Sequence, residues 1–340
     1  MANLCLFIPG LLFPSSNLDK WDIPAIPALE RLLGYARHRK HDHFQFVDLL
    51  AGLFDLQRPA TGDLPIAPIT HQLDDDFESE GVWMRADPVH LQADQRQLVL
   101  LDQTMFNLDQ HDALVLANDI RGFLADFGMT LEAPVTNRWY IRMNELPRLS
   151  TTPIHEVTGR DIHPYMPSGA EKNHWARLLN ELQMCLHANP VNANRIRRGE
   201  LEINSLWLWG CGRLPDRFTC PWSRVYCDEE ISRSCAVLAD IPCDDLPDSI
   251  DNIMNVAAAD DDILLVISFG QRHRQYRDLP GWQDFIAYLE ASWFAGLLKY
   301  LSSGAIRRLT LLTEGQEFQV AKVSFHKFWK RPKSIISYRY

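Results

Sequence analysis

The chain has 340 residues, 34 of them Lys or Arg and 44 Asp or Glu, giving a net charge of -10. An apolar share of 46% over that length fits one large α/β domain or two coupled ones, with enough material for a sizeable core. A negative field of this size repels phosphate backbones, and no run approaches the roughly 20 apolar residues of a bilayer span, so neither nucleic acid nor a membrane is an expected partner. The start, Met1-Ala2-Asn3-Leu4-Cys5, lacks the basic segment of a signal peptide, and the seven cysteines never form Cys-x-x-Cys. These features lead to the expectation of a reduced, cytoplasmic protein.

In chain order, the apolar run 4–8 predicts a buried first strand that stops at Pro9-Gly10. Residues 27–37 place Leu29, Leu32, Leu33 and Ala36 on one helical face, and the basic run with His38, His41 and His43 is expected just past that helix's C-terminus. Between 59 and 80 the apolar density falls around Asp74, Asp75 and Asp76, which predicts a linker or mobile loop. Strands are expected at 82–84 and 98–101, then a helix N-capped by Asp109 carrying Leu114, Ala117, Ile120, Leu124 and Phe127, then a half-exposed strand at 138–143.

Residues 171–187 form the clearest amphipathic helix, through Trp175, Leu178, Leu179, Leu182 and Cys185. Strands follow at 205–209, 225–227, 236–238 and 263–268, then a long helix over 282–301 and strands at 309–313 and 318–323. The pattern predicts a mostly parallel sheet over 1–80 and 151–340, interrupted by a smaller α+β insertion over 81–150.

Two stretches carry chemistry. Asn204-Ser205-Leu206-Trp207-Leu208-Trp209-Gly210-Cys211-Gly212 sets tryptophans on a strand and glycines at its carboxyl end, where open α/β sheets bind ligands. Packing tryptophans and a tight turn explain the same residues about as well. Arg85-Ala86-Asp87-Pro88-Val89-His90 puts an aspartate and a histidine three apart beside a proline, so Asp87 and His90 are the catalytic candidates, against a reading in which Asp87 caps a turn. Arg138, His155, Arg160, Asp161 and His163 lie in or near the insertion boundary, and a solvated loop explains most of them. Cys211, Cys220, Cys227, Cys235 and Cys243 do not match a zinc or iron–sulfur spacing and read as packing residues. The tail with Lys327, Trp329, Lys330 and Arg331 is expected to dock through Trp329.

The stretch from Asn204 to Gly212 resembles the Asn-x-Leu/Ile-Trp-Leu-Trp-Gly-x-Gly segment of archaeal-type cofactor-independent phosphoglycerate mutases, of the alkaline phosphatase-like superfamily. Almost end to end, the chain also resembles a bacterial group of Rpf-type (E) regulatory proteins, through Arg85-Ala86-Asp87-Pro88-Val89-His90-Leu91, Arg138-Trp139-Tyr140 and Asn180-Glu181-Leu182-Gln183-Met184. The resemblance implies an alkaline phosphatase-like sheet with an inserted domain. It also implies two metals, held in part by an Asp-Gly pair after the first strand and an Asp-His pair after a late one. Here those places read Pro9-Gly10 and Phe269-Gly270-Gln271-Arg272-His273, without those ligands.

Three readings follow. The first is a mutase-like protein without the two-metal site that binds a small anionic or phosphorylated metabolite near Asn204, Trp209, Gly210 and Gly212, with Arg272 and Arg274 as anion contacts and no metal or cofactor. The second is a regulatory or scaffold protein acting through a protein partner. The third is an active mutase or phosphatase holding manganese or zinc through relocated ligands among Asp19, Asp22, Asp87, His90 and Asp161. Nucleophile-elbow, P-loop, dinucleotide and zincin motifs are absent.

Overall fold

The computed structural model describes residues 1–13, 23–41, 45–60, 62–74, 80–94, 96–313, 315–321 and 331–338. Asp19, Asp22, His43, Asp75, Asp76, Lys327, Trp329 and Lys330 lie outside the described residues. The contacts divide the chain into two compact units, Met1–Asp55 with Thr219–Tyr340, and Leu56–Phe218.

In chain order the described strands are β1 (Ala2–Phe7), β2 (Arg37–Lys40), β3 (Val82–Asp94), β4 (Gln97–Leu101), β5 (Thr130–Val135), β6 (Arg138–Met143), β7 (Leu149–Ser150), β8 (Ser168–Gly169), β9 (Ser205–Gly212), β10 (Arg224–Cys227), β11 (Cys243–Asp245), β12 (Asp262–Val266), β13 (Ile306–Thr313) and β14 (Gln316–Ala321).

The first unit is the mostly parallel α/β sheet that the sequence predicts, in the order β11-β10-β12-β1-β13-β14-β2. Its β1 sits between β12 and β13, parallel to both. Leu4 and Leu6 point into one apolar layer with Ile263 and Leu309, while Phe7 stacks on Phe46 with ring centroids 5.6 Å apart. Burial on both faces explains why the strand reads as a continuous apolar run rather than an alternation.

The helix Pro27–Tyr35 has no side-chain cap at Ile26. Its first amides, of Ala28 and Leu29, instead donate to Glu290 at 2.6 and 3.0 Å. Glu290 starts a π-helical turn, Glu290–Phe294, between helices Leu279–Leu289 and Ala295–Ser303, where one uninterrupted helix was predicted.

Two predictions within this unit need correction. Residues 236–238 belong to the helix Glu230–Leu238, not to a strand, because Ile231 with Cys235 and Ser232 with Ala236 bury one face at four-residue spacing. The basic run after the first helix is the exposed edge strand β2, antiparallel to β14. His38 stacks on Phe318 at 5.0 Å and His41 pairs with Glu317 at 2.9 Å. Charges along an edge strand discourage pairing with another chain.

The second unit is built on an antiparallel sheet, β4-β3-β6-β5, with β9 paired to β3. The helices Gln110–Ala125 and Lys172–Ala188 contribute Leu116, Ile120, Trp175 and Leu182 to its core. Asp109 caps the first of these by accepting from Asp112 N, as predicted, but Leu114 and Phe127 are exposed. Segments 56–80 and 151–218 pack in this unit, so it extends well beyond 81–150. The predicted linker is in fact the helix Ile66–Asp74, buried from Ile66 to His71.

Candidate functional site

The parallel sheet offers the carboxyl ends of β1 and β12 as the natural ligand position. Both continue as tight turns. Gly10 has φ 87°, and a Cβ there would lie 2.5 Å from the carbonyl oxygen of Gly270. The two turns are therefore in backbone contact, which only glycine permits at this φ.

Above them, Trp282 Nε1 donates to Gly10 O at 3.1 Å and to Leu11 O at 3.3 Å. The Phe285 ring comes within 2.2 Å of where a Cβ on Gly270 would sit. Trp282 and Phe285 are both buried. Pro9 and Phe269 offer no side-chain donor for a metal, and Trp282 and Phe285 pack against the two turns. The residues present do not fit the two metals that the resemblance implies.

The acid beside these turns is already engaged. Asp228, after β10, accepts from Ser268 N at 2.7 Å and Phe269 N at 2.9 Å. Desolvation by the surrounding backbone pushes its carboxyl above the usual range against those hydrogen bonds, although part of the residue's surface is open to solvent. The short helix Gln271–Gln275 follows, with Arg272 exposed and Arg274 half-buried. His273 Nδ1 bonds Asp278 at 2.7 Å. That bond chiefly, then the Gly281 amide and more weakly Arg272, holds the Asp278 carboxyl below its ordinary range.

In the second unit, β3 runs straight through Arg85, Asp87 and Pro88, where a turn was expected. Pro88 is tolerated opposite Leu206, and Asp87 lies opposite Trp207 rather than capping anything. Arg85 Nε and Nη2 donate to the two carboxylate oxygens of Asp87 at 2.8 and 3.0 Å, and Trp209 Nε1 donates to Oδ2 at 2.7 Å. The Arg85 guanidinium also lies over the rings of Trp209 and Tyr140, 5.0 and 5.5 Å from their centroids.

Tyr140 donates to Asp74 at 2.6 Å, and Arg138 Nε donates to the same carboxylate at 2.8 Å. His71 bonds Glu132 at 2.7 Å. This network was missed in the sequence because Thr70, His71 and Asp74 fell in the expected linker. The spacing of Ile66, Ile69 and Thr70 was the available signal for a helix.

The other candidates are engaged in structure as well. Asn204 accepts from Leu91 N at 2.7 Å and donates to Leu91 O at 3.0 Å, extending the β3–β9 ladder by one side chain. His90 Nδ1 bonds the Glu202 carbonyl at 2.8 Å. Gly210, at φ 66°, would bring a Cβ 3.1 Å from Ile66, and Gly212 would bring one 2.5 Å from Pro65. Those glycines admit the helix Ile66–Asp74 against β9.

Asp161 bonds His163 at 2.6 Å near the surface and accepts from Leu98 N at 3.2 Å. Asp87 and Trp209 are thus brought together. Asn204, Gly210 and Gly212 share their unit, and Arg272 and Arg274 belong to the other. Among the described residues, no group of three or more His, Cys, Asp or Glu is placed to hold a metal ion, and no helix is long and apolar enough to cross a membrane. A shallow polar cleft of about 350 Å³ in the second unit is lined by Glu80, Thr130, Arg142 and Asn144.

A mixed α/β chain with a mostly parallel sheet and a second, antiparallel unit defines the class. The structure of the PH0037 protein from Pyrococcus horikoshii shares this fold, with a TM-score of 0.53 at 10% identity over 94% of this chain and 87% of its own. A cofactor-independent phosphoglycerate mutase from Thermoplasma acidophilum aligns over 94% of this chain and 89% of its own, with 15% identity and a TM-score of 0.46.

In sequence, the chain is 39% identical over 75 residues to the 2,3-bisphosphoglycerate-independent phosphoglycerate mutase of Methanosarcina barkeri. That stretch is 22% of this chain and 18% of the Methanosarcina enzyme, so less than a fifth of the relative's length is matched. No family model matches the chain. The chain is phosphoglycerate mutase-like over that stretch.

Proposed function

We propose that this chain is a phosphoglycerate mutase-related protein that does not perform two-metal phosphoryl transfer and instead binds a small anionic or phosphorylated metabolite. The observation that carries the proposal is the closed turn pair at the ends of β1 and β12. Gly10 and Gly270 are in backbone contact, Pro9 and Phe269 stand at the implied ligand positions, and Trp282 and Phe285 pack against the turns. Metal-assisted displacement needs side-chain ligands and an open coordination site beside the reacting phosphoryl group, and the lack of such side chains at Pro9 and Phe269 supports the reading.

Arg272 and Arg274, on the helix that leaves the β12 turn, are the cations proposed to meet the anion. The resemblance to Rpf-type regulatory proteins adds a regulatory role to this reading.

The test is thermal unfolding of the full chain in chelator with 3-phosphoglycerate, inorganic phosphate or chloride, alongside a mutase assay with manganese or zinc. The expected result is stabilisation by the phosphorylated compound without metal, its loss in Arg272→Ala/Arg274→Ala, and no turnover. Stoichiometric retention of manganese or zinc with mutase turnover would overturn the proposal and restore the relocated-ligand enzyme.

A further inference from the structure

The cysteines of the first unit do not fit a metal-ligand spacing, but two of them meet. Cys227 closes β10 and Cys243 opens β11, the neighbouring parallel strand. Their Sγ atoms are 3.6 Å apart. They stand 16 positions apart in sequence, across a helix and a turn, which is why spacing gave no hint of the pair.

The β10 partner of Cys243 is Val225, two residues before Cys227, so Cys227 and Cys243 lie on the same face of the sheet. A disulfide needs an S–S separation of about 2.05 Å, so bond formation requires a closing movement of about 1.5 Å. The element that has to move is the one least restrained. β11 has three residues and lies at the outer edge of the sheet, paired only to β10 among the described strands.

The pair is asymmetric. Cys227 is buried, and Cys243 is partly exposed. The hydrogen bond from Cys227 chiefly, supported by the Arg233 guanidinium, holds the Cys243 thiol below its ordinary range against its own burial and the carboxylates of Asp244 and Asp245. The Cys227 thiol is pushed up by its bond to Cys243 and by burial, with Glu229 adding to the effect. Arg233 is anchored beside the pair, donating to Cys227 O at 3.2 Å and to Asp245 at 2.5 Å. A partly exposed thiol held below its ordinary range, with a second, buried thiol 3.6 Å away, is the arrangement of an attacking and a resolving cysteine.

We propose that Cys227 and Cys243 form a reversible, redox-sensitive disulfide that ties the edge strand β11 to β10, with a low-molecular-weight disulfide as oxidant. The Cys243 thiolate attacks one sulfur of the small disulfide, forming a mixed disulfide and expelling one small thiolate. Cys227 gives up its proton to solvent, and its sulfur then attacks Cys243 Sγ and expels the second thiolate. Two electrons pass from the two cysteine sulfurs to the small disulfide, which leaves as two thiols carrying the two protons. Excess small thiol reverses both steps. Two other cysteines of this unit, Cys5 and Cys235, are less suited. Burial pushes the Cys5 thiol up to about 12, and Cys235 is buried and raised likewise.

The test is to equilibrate the full native chain with glutathione and glutathione disulfide near neutral pH, block free thiols, and digest with trypsin plus a protease that cleaves before aspartate. Peptides 225–227, 234–239 and 240–243 then separate Cys227, Cys235 and Cys243. The expected product is a cross-link between 225–227 and 240–243, reversed by reduced glutathione. Cys227→Ser is expected to stop at a glutathione adduct on Cys243, and Cys243→Ser to abolish the link without moving an adduct to Cys227. Both variants are checked for folding by circular dichroism. Failure of the cross-link to form in the folded wild-type chain, or linkage of either cysteine to a different one, would overturn the proposal.

Discussion

The indole N–H of Trp209 donates to the Asp87 carboxylate at 2.7 Å, so the acid–base candidate and the ligand candidate satisfy each other. Arg85 completes the set with two bonds to the same carboxylate, and both partners of that ion pair are almost wholly enclosed, at 3% and 4% side-chain exposure. Asp87→Ala would remove both carboxylate bonds from a buried guanidinium, a loss of about 3–5 kcal/mol. Trp209→Phe keeps the ion pair but removes one donor, and a smaller loss of about 1–3 kcal/mol is expected. Urea unfolding of the full chain measures both. A chain that kept its stability but lost its response to phosphorylated ligands would instead assign Asp87 to binding.

The glycines of β9 make a separate prediction. Gly212→Ala places a Cβ 2.5 Å from a Pro65 side-chain carbon, and Gly210→Ala adds a left-handed φ of 66° to a 3.1 Å approach to Ile66. Each is expected to destabilise by about 1–3 kcal/mol through overpacking and backbone strain. Gly52→Ala, whose Cβ would meet nothing within 4 Å, is the matched control and should be neutral or slightly stabilising. Equal stability of all three variants would remove the packing explanation and return the β9 glycines to a ligand role.

How much of this was legible in the sequence depended on whether a residue's partners were local. The apolar run of β1, the Asp109 cap and the amphipathic helix of Trp175 and Leu182 are set by near neighbours, and each appears as predicted. The helix Ile66–Asp74 was hidden because its three-aspartate end looks solvated, although Asp74 is taken up by Arg138 and Tyr140, more than sixty residues away. Residues 85–90 read as a turn because Pro88 argues against a central strand. Pairing with β9, far along the chain, overrides that preference. The meeting of Cys227 with Cys243 depends on a parallel crossover and was likewise invisible to spacing.

Asn204 separates a structural from a ligand-binding role cleanly. Its amide both donates to and accepts from the backbone of Leu91. Asn204→Ala leaves a backbone N–H and C=O without these partners at the end of the β3–β9 ladder, a cost of about 1–3 kcal/mol. Its stabilisation by phosphorylated ligand, measured as the shift in Tm, should equal that of the wild type. A stable Asn204→Ala chain with no ligand shift would show the reverse assignment to be right.

The pH dependence of stability rests on Glu229. It caps the helix Glu230–Leu238, accepting from Ile231 N and Ser232 N at 2.7 Å each. These amides favour the carboxylate, but complete burial, with Glu230 adding to it, outweighs them and pushes the carboxyl from its ordinary 4.5 up to about 8. Between those two values the folded chain binds the proton and the unfolded chain has released it, so folded stability falls as pH rises through the window. Its contribution is fully present below about pH 4.5 and is lost as pH passes about 8. Glu229→Gln keeps an acceptor oxygen for the amides and cannot ionise. Urea unfolding at intervals across that window should therefore give a wild-type stability that declines relative to the variant. The raised carboxyls of Asp63 and Asp228 act in the same direction but are common to both chains, so they cancel in the difference. Parallel curves for the two chains would mean that the two capping amides hold Glu229 ionised in the folded state after all.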